Sequence, residues 1–178
     1  MPPAAGFQYP RSSGLKDGQR RVVNAAVGCD AVGAIHVGPA HTGAAVVRQA
    51  AARKGFQIVA AVDIDPNKVG KDVGDVVSIG RRLRVKVTSD LSRTIRATKP
   101  DVAVLCTSSS LKRVLPQFEE VLKYKVPIVS TTEELSYPAP YNRRLARRLD
   151  EAARKAKVAV LGTGVNPGFT MDALPLAH

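Results

Sequence analysis

The sequence predicts an α/β fold in which helices cover both faces of a doubly wound parallel sheet. Short apolar runs alternate with segments of helical periodicity along most of the chain, and this alternation builds βαβ units. The run at residues 101–107, DVAVLCT, is almost continuously apolar, as in strands that are buried on both faces. Aromatic residues make up only 4% of the chain, so aliphatic side chains must fill the core.

The first half of the chain supplies two predicted strand–helix units. Ala34–Gly38 is predicted to be the first strand, and it ends in a glycine-bearing loop. Gly43–Arg53 is rich in alanine and predicts a helix, which Gly55 ends as a C-cap. Phe56–Asp63 predicts an apolar strand that ends on a carboxylate.

The rest of the chain continues the alternation. Ser89 or Asp90 is the predicted N-cap of the next helix. Pro116 interrupts a later helical pattern, where it either kinks the helix or marks its start. The predicted elements are a strand at 85–88, a helix at 91–99, a strand at 101–107, a helix at 111–122, a strand at 127–130, a basic helix at 143–157 and a strand at 158–161.

Composition separates a tail from a domain and excludes several functional classes. Residues 1–20 are rich in Pro, Gly, Ser and charge and predict a flexible basic tail. No run approaches the roughly 20 apolar residues of a membrane-spanning helix, and no signal peptide is recognisable. Cys29 and Cys106 are far apart, and the histidines do not cluster, so neither a disulfide framework nor a metal site is predicted. A cytoplasmic protein is expected.

The net charge of +12 is concentrated in the tail and in the basic helix at 143–157. Within that helix, leucines and alanines recur at helical spacing, so the arginines and lysines fall on the opposite face beside Asp150 and Glu151. A solvated helix face explains this pattern without a nucleic-acid partner, since no aromatic platform accompanies the charge.

The loop that follows the first predicted strand has the spacing of a phosphate-binding loop. Gly38 to Gly43 fits G-x-G-x-x-G, with Ala40 in the middle position. The small side chains let the backbone approach a pyrophosphate, and the helix N-terminus supplies the positive end of its dipole. Alanine is a tolerable but poorer choice than glycine there. The predicted contacts in this loop are Gly38, Ala40, His41, Thr42 and Gly43.

Asp63 strengthens this interpretation, because it lies about 20 residues beyond Gly43 at the end of the next strand. A carboxylate there accepts hydrogen bonds from the ribose hydroxyls of an adenine nucleotide and repels a 2′-phosphate, which favours NAD. Lys68, Arg81 and Arg82 are near enough in sequence to soften that preference, so NADP stays an alternative cofactor.

A second glycine pair, at residues 28–33, also follows a small apolar run. Its middle position is Asp30, whose negative charge would face the pyrophosphate. It also lies further from Asp63. We therefore prefer the loop at Gly38 to Gly43 as the phosphate-binding loop.

Three later loops carry a family resemblance. Residues 101–109 (DVAVLCTSS), 130–135 (STTEEL) and 162–169 (GTGVNPGF) resemble, in this order, loops of dihydrodipicolinate reductase-like proteins. The likeness is greatest to their 2,4-diaminopentanoate dehydrogenase-like branch, and it runs from about Ala34 to the last residue.

The resemblance implies an enzyme that uses NAD or NADP to reduce an imine or to dehydrogenate a small amine. It implies that residues 21–170 are a Rossmann-type dinucleotide-binding domain, and that 170–178 begin a helix crossing to a substrate domain absent from this sequence. By this likeness Thr107 and Ser108 lie beside the nicotinamide and Thr131 borders the substrate cleft. The candidates for a catalytic role are Glu133, Glu134 and Asn166.

Two other functions remain open at this point. A chain without the substrate domain, and with Ala40 in its phosphate loop, could hold a dinucleotide without catalysis. A basic nucleic-acid-associated protein is favoured only by the charge, and it predicts binding that weakens steeply with salt. An exposed sheet edge would also favour a homo-oligomer.

Overall fold

Six parallel strands form a single sheet in the computed structural model, which describes residues 23–28, 41–138, 142–164, 169–170 and 174–177. The strand order is β3-β2-β1-β4-β5-β6. This is the order of a doubly wound dinucleotide-binding sheet, so the predicted fold class is confirmed. The strands are β1 (Val23–Gly28), β2 (Phe56–Val62), β3 (Val87–Thr88), β4 (Val102–Leu105), β5 (Ile128–Ser130) and β6 (Val160–Gly162).

Helices connect these strands, and most lie where the hydrophobic pattern predicts them. The short helix α2, between β2 and β3, was not predicted. The helices are α1 (His41–Ala52), α2 (Val73–Val76), α3 (Leu91–Thr98), α4 (Leu111–Lys123) and α5 (Arg143–Ala156), and 3₁₀ turns occur at Glu133–Leu135 and Pro175–Ala177.

Local sequence signals explain several of the helix ends. The Asp90 side chain accepts a hydrogen bond from the Arg93 backbone N–H at 2.8 Å, so Asp90 is the N-cap of α3. Gly55, just after α1, has a φ of +91°, which glycine adopts without steric cost. Lys99 and Lys157 end α3 and α5 in the same left-handed region.

Pro116 lies inside α4 and does not mark its start, because the helix begins at Leu111. Proline removes one backbone hydrogen bond from a helix interior, a cost of about 3 kcal/mol. Pro116 is exposed, and the opposite face of α4 is fully buried. Burial of that apolar face outweighs the lost hydrogen bond. The buried residues of the face are Leu111, Val114, Leu115, Phe118, Val121 and Leu122.

Two hydrophobic cores lie on the two faces of the sheet. The larger one joins α3, α4 and α5 to β4 and β5, with Phe118 fully buried at its centre. The smaller one joins α1 and α2 to β2 and β3, around Val47 and Val73. Side chains alternate along β4, so Leu105 belongs to the larger core and Val104 packs against the smaller one.

The face of the sheet that carries α1 is progressively uncovered toward β6. Val104, Val129 and Leu161 are register partners across β4, β5 and β6, so they form one row on this face. Val104 and Val129 are half-buried, whereas Leu161 is 48% exposed. Among the described residues no helix covers the β6 end of this row. This face of the sheet is therefore open at β6.

The central strand differs from the prediction. Val23–Gly28 lies between β2 and β4 and pairs with both, whereas we expected Ala34–Gly38 to be the first strand. Residues 29–40 lie outside the described part of the chain. Both segments are short apolar runs that end in a glycine, so hydrophobic pattern alone does not distinguish them.

The two ends of the chain bear on other predictions. Residues 1–20 lie outside the described residues, so the flexible tail stays a prediction. Of the helix expected at residues 170–178, Thr170 is helical and Pro175–Ala177 form a 3₁₀ turn, while residues 171–173 and 178 lie outside the described part. None of the described helices is long and apolar enough to cross a membrane.

The larger core predicts a large effect for one aromatic side chain. Phe118 is 0% exposed, so Phe118→Ala removes a fully buried ring and leaves a cavity. We expect the free energy of unfolding to fall by about 3–5 kcal/mol in urea denaturation followed by circular dichroism. Phe56 is 45% exposed, so Phe56→Ala is the control, with a loss of at most about 1 kcal/mol. Equal losses for the two variants would contradict the packing described here.

Candidate functional site

The strand order reverses between β1 and β4, and ligands of doubly wound sheets bind in the crevice at such a point. The N-terminus of α1 and the loops after β4 and β5 reach this edge. Helix α1 begins at His41, with Thr42 exposed and Gly43 buried in its first turn. The loop after β4 runs through residues 106–110, and the loop after β5 contains Thr131.

A cleft of about 740 Å³ opens between α1 and these loops. This volume is within the range of small-molecule and cofactor sites. The cleft brings together five residues predicted from the sequence to form the site, namely Thr42, Thr107, Ser108, Thr131 and Glu133. Its other lining residues are Ala45, Val46, Gln49, Ala50, Arg53, Phe56, Cys106, Ser109 and Gly164.

A network of buried hydroxyl groups fixes the loops under the cleft. Ser130 and Thr132 are 0% and 1% exposed, and their hydroxyl oxygens lie 2.9 Å apart. The Ser130 hydroxyl donates to the Leu105 carbonyl at 2.8 Å, and the Thr132 hydroxyl donates to the Ser108 carbonyl at 2.8 Å. The network ties β5 to the end of β4 and thereby fixes the Ser108 backbone at the cleft.

Thr131 lies between these two buried residues and lines the cleft. Alternation along the extended chain explains this, because Ser130 and Thr132 share one side and Thr131 takes the other. A Ser-Thr-Thr sequence directly after a strand is the signal for this network, although only Thr131 was predicted to belong to the site.

Cys106 also lines the cleft, and its environment keeps the thiol protonated. Burial raises the pKa of the Cys106 thiol, and a hydrogen bond with the Thr131 side chain only partly opposes that effect. A thiol that stays protonated is a poor nucleophile. Cys106 therefore contributes packing and a weak polar contact with Thr131 to the cleft.

The hydroxyls of the loop after β4 have partners within the protein. The Thr107 hydroxyl donates to Gln117 Oε1 of α4 at 2.8 Å. Ser108 Oγ accepts from the Ser110 backbone N–H at 3.2 Å, just before α4 begins. Both residues therefore shape the loop as well as line the cleft.

The two predicted catalytic glutamates have different environments. Glu134 Oε2 accepts a hydrogen bond from the Leu111 backbone N–H at 2.8 Å, so this carboxylate satisfies the N-terminus of α4. Asn142 Nδ2 also donates to Glu134 Oε2, at 3.3 Å. Glu133 lines the cleft and is exposed, and its carboxylate has no ion pair with any described residue. Geometry therefore favours Glu133 for chemistry in the cleft.

Asp63 lies just beyond β2, where the sequence predicted a ribose-binding carboxylate, and it is 3% exposed. The Lys68 ammonium donates to Asp63 Oδ2 at 2.7 Å. The Asp65 backbone N–H donates to Asp63 Oδ1 at 2.9 Å. Asp65 Oδ1 accepts from the Asn67 backbone N–H at 2.9 Å, as in a turn that begins at an aspartate.

The other two cations expected near Asp63 are engaged elsewhere. Arg81 donates to the Ala51 carbonyl at the C-terminal end of α1 at 2.9 Å. Arg82 pairs with Asp75 at 3.3 Å, and both are exposed. Of the three cations named from the sequence, only Lys68 contacts Asp63.

Three predicted site residues lie outside the described part of the chain. Gly38 and Ala40 of the phosphate loop and Asn166 after β6 belong to this group. His41 is described only as the first residue of α1. Their roles stay predictions.

The basic helix α5 has the organisation expected of a solvated helix. Leu149 and Ala156 are buried against the larger core. On the exposed side Arg148 pairs with Glu119 through a 2.7 Å hydrogen bond, and Arg154 pairs with Asp150 at 2.7 Å. Surface pairs of this kind contribute little to stability, but they reduce the charge available to a polyanion.

The buried hydroxyl network predicts the effect of a near-isosteric change. Thr132→Val removes the donor to the Ser108 carbonyl, and we expect the free energy of unfolding to fall by about 1–3 kcal/mol in urea denaturation. Thr98→Val is the matched control, because the Thr98 hydroxyl donates to a carbonyl within α3, and a change of about 0.5 kcal/mol or less is expected. A stable Thr132→Val variant would show that the network does not hold the loops.

Comparison with known proteins identifies the family. The family described as dihydrodipicolinate reductase, N-terminus, matches residues 37–163. The 2,4-diaminopentanoate dehydrogenase of Acetoanaerobium sticklandii is 32% identical over 123 residues, which are 68% of this chain and 35% of that protein. The chain therefore spans about a third of the length of this curated relative.

Solved structures agree with this assignment. The amine dehydrogenase of Mycobacterium smegmatis superposes with a TM-score of 0.70 at 31% identity, covering 80% of this chain and 39% of that one. GenD2 from gentamicin A biosynthesis, solved in complex with NAD, has a TM-score of 0.57 at 17% identity and covers 88% and 37%. The second likeness shows the fold alone. The family match extends over well over half of the sequence, and the chain therefore belongs to the dihydrodipicolinate reductase family, of which it carries the N-terminal domain.

Proposed function

We propose that this chain is the cofactor-binding domain of an oxidoreductase that uses NAD or NADP to act on a carbon–nitrogen bond. The observation that carries the proposal is the cleft beside α1, at the reversal point of a β3-β2-β1-β4-β5-β6 sheet. Sheets of this order bind dinucleotides there. Two of the named relatives are dehydrogenases and the family is that of a reductase, which supports the same class of chemistry.

The residues of the cleft fit a nicotinamide and its ribose. Half-buried hydroxyls of Thr107, Ser108 and Thr131 supply polar partners, and small apolar side chains of α1 supply the opposite wall. A nicotinamide held here would supply or accept the hydride at the substrate carbon that bears nitrogen. The protein's part is to hold the ring at the cleft and to exclude water from one of its faces.

For the pyrophosphate we propose the loop Gly38 to Gly43, which leads into the N-terminus of α1. Helix N-termini favour anions, and the family match begins at Val37, just before this loop. The observation that β1 ends at Gly28 favours the second glycine pair, at residues 28–33. Its middle residue, Asp30, would repel a pyrophosphate.

A carboxylate inserted in the middle position distinguishes the two loops. We expect Ala40→Asp to weaken NADH binding at least tenfold, measured by nicotinamide fluorescence, because the charge would face the pyrophosphate. Ala31→Asp adds a carboxylate next to Asp30, the middle position of the alternative loop, and should leave binding unchanged. The opposite result would assign the pyrophosphate to residues 28–33. Absence of NADH and NADPH binding by the unaltered chain at millimolar concentration would refute the proposed function.

The proposed substrates are small amines or imines, because the relatives are a 2,4-diaminopentanoate dehydrogenase and an amine dehydrogenase. Dehydrogenation of an amine transfers a hydride to the cofactor and releases a proton from nitrogen, which leaves an imine. We propose that Glu133, exposed at the cleft, exchanges that proton. Glu134 is assigned to the N-terminus of α4, because its carboxylate already accepts the Leu111 N–H.

The position of the nicotinamide half can be tested without substrate. Ser108→Trp places a large ring in the cleft, so we expect NADH binding to weaken at least tenfold. Binding of 5′-AMP, which carries only the adenosine half, should change less than twofold. Both can be measured by isothermal titration calorimetry. If the two ligands lost affinity together, the cleft would not be the nicotinamide site.

A further inference from the structure

The Lys68 side chain covers Asp63, the carboxylate that the sequence predicts to bind the cofactor ribose. Asp63 is 3% exposed, whereas the Lys68 side chain that pairs with it is 25% exposed. A ligand that approaches the end of β2 therefore meets the Lys68 ammonium before the Asp63 carboxylate. This arrangement is the reverse of the one expected for a simple NAD site, in which the carboxylate faces the ribose hydroxyls.

The lysine is held in place from two sides. Its ammonium lies 2.7 Å from Asp63 Oδ2 and 3.8 Å from Asp65 Oδ2. The backbone also fixes the turn, because the Lys68 N–H donates to the Asp65 carbonyl and the Asp63 N–H donates to the Thr88 carbonyl, each at 2.9 Å. Lys68 is therefore part of the ordered end of β2.

The charges of this group can be counted directly. Asp63 and Asp65 contribute two negative charges, and Lys68 contributes one positive charge that neutralises half of them. A 2′-phosphate placed here is repelled by two carboxylates, and Lys68 offsets much of that repulsion at short range. A ribose diol carries no charge and would gain from a free Asp63 carboxylate instead.

Resting on the proposed function, we propose that Lys68 is the residue that sets cofactor specificity and opens this site to the 2′-phosphate of NADP. Its pairing with Asp63 suppresses the preference for NAD that the carboxylate alone would impose. Arg81 and Arg82 do not take this role, since their guanidinium groups contact Ala51 and Asp75. The chain therefore accepts both cofactors, with Kd values within about tenfold of each other.

Substitution of the lysine should move the two affinities in opposite directions. In Lys68→Met, we expect the Kd for NADPH to rise at least tenfold, because both carboxylates then face the 2′-phosphate. The Kd for NADH should stay the same or fall, because Asp63 is freed for the ribose hydroxyls. Nicotinamide fluorescence gives both constants. Calorimetry with 2′,5′-ADP and 5′-AMP repeats the comparison without the nicotinamide half.

Two further variants separate this effect from damage to the fold and from loss of net charge. Lys71→Met removes the same charge from an exposed neighbour and should change the NADPH-to-NADH ratio less than twofold. Lys68→Arg keeps the cation and should keep most of the NADPH affinity.

The outcomes are distinguishable. If Lys68→Met weakens both cofactors equally, or leaves the ratio unchanged, the inference is overturned while the proposed function stands. If Lys71→Met changes the ratio as much as Lys68→Met, net charge and not the Asp63 contact sets specificity, which also overturns it. If the unaltered chain binds neither cofactor, the proposed function fails.

Discussion

The parallel pairing of the six strands is the constraint on which the rest of the structure depends. A parallel strand must return through a crossover, so every strand ends at the same edge of the sheet. The loops after β2, β4 and β5 therefore meet at one edge although they are distant in sequence. Parallel pairing therefore brings Asp63, Ser108 and Thr131 to the same edge. The reversal of strand order between β1 and β4 opens a crevice at that edge.

Packing and buried hydrogen bonds then give this edge its shape. Helices α3, α4 and α5 pack on one face, while α1 and α2 leave the other face open toward β6. The cleft lies between α1 and the loops after β4 and β5. Ser130 and Thr132 tie the ends of β4 and β5 together beneath it. A buried hydroxyl without a partner is costly, so the network makes a single arrangement of these loops favourable.

The charge that a ligand would meet at the end of β2 depends on ion pairs between residues and not on any one residue. Asp63 by itself indicates an NAD site, and the net charge of +12 by itself suggests a polyanion. In the folded chain Lys68 covers Asp63, and part of the charge of α5 is paired with Glu119 and Asp150. The proposed acceptance of both NAD and NADP follows from the Lys68 pair, and the pairs of α5 reduce the charge available to a nucleic acid.

The sequence by itself determined the fold class and the bounds of most elements. It also predicted the two parts of the site that directly follow strands, namely the loops after β4 and β5. Alternating apolar runs, the Asp90 N-cap and Gly55 are local signals, and the folded chain keeps them because they agree with its packing. Only the tertiary structure decided which apolar run forms the central strand and how Lys68 covers Asp63. It also separated Glu134, which satisfies a helix end, from Glu133, which faces the cleft. Those outcomes depend on contacts between residues far apart in the chain or around a turn, and hydrophobic periodicity reports only on which side chains share a face.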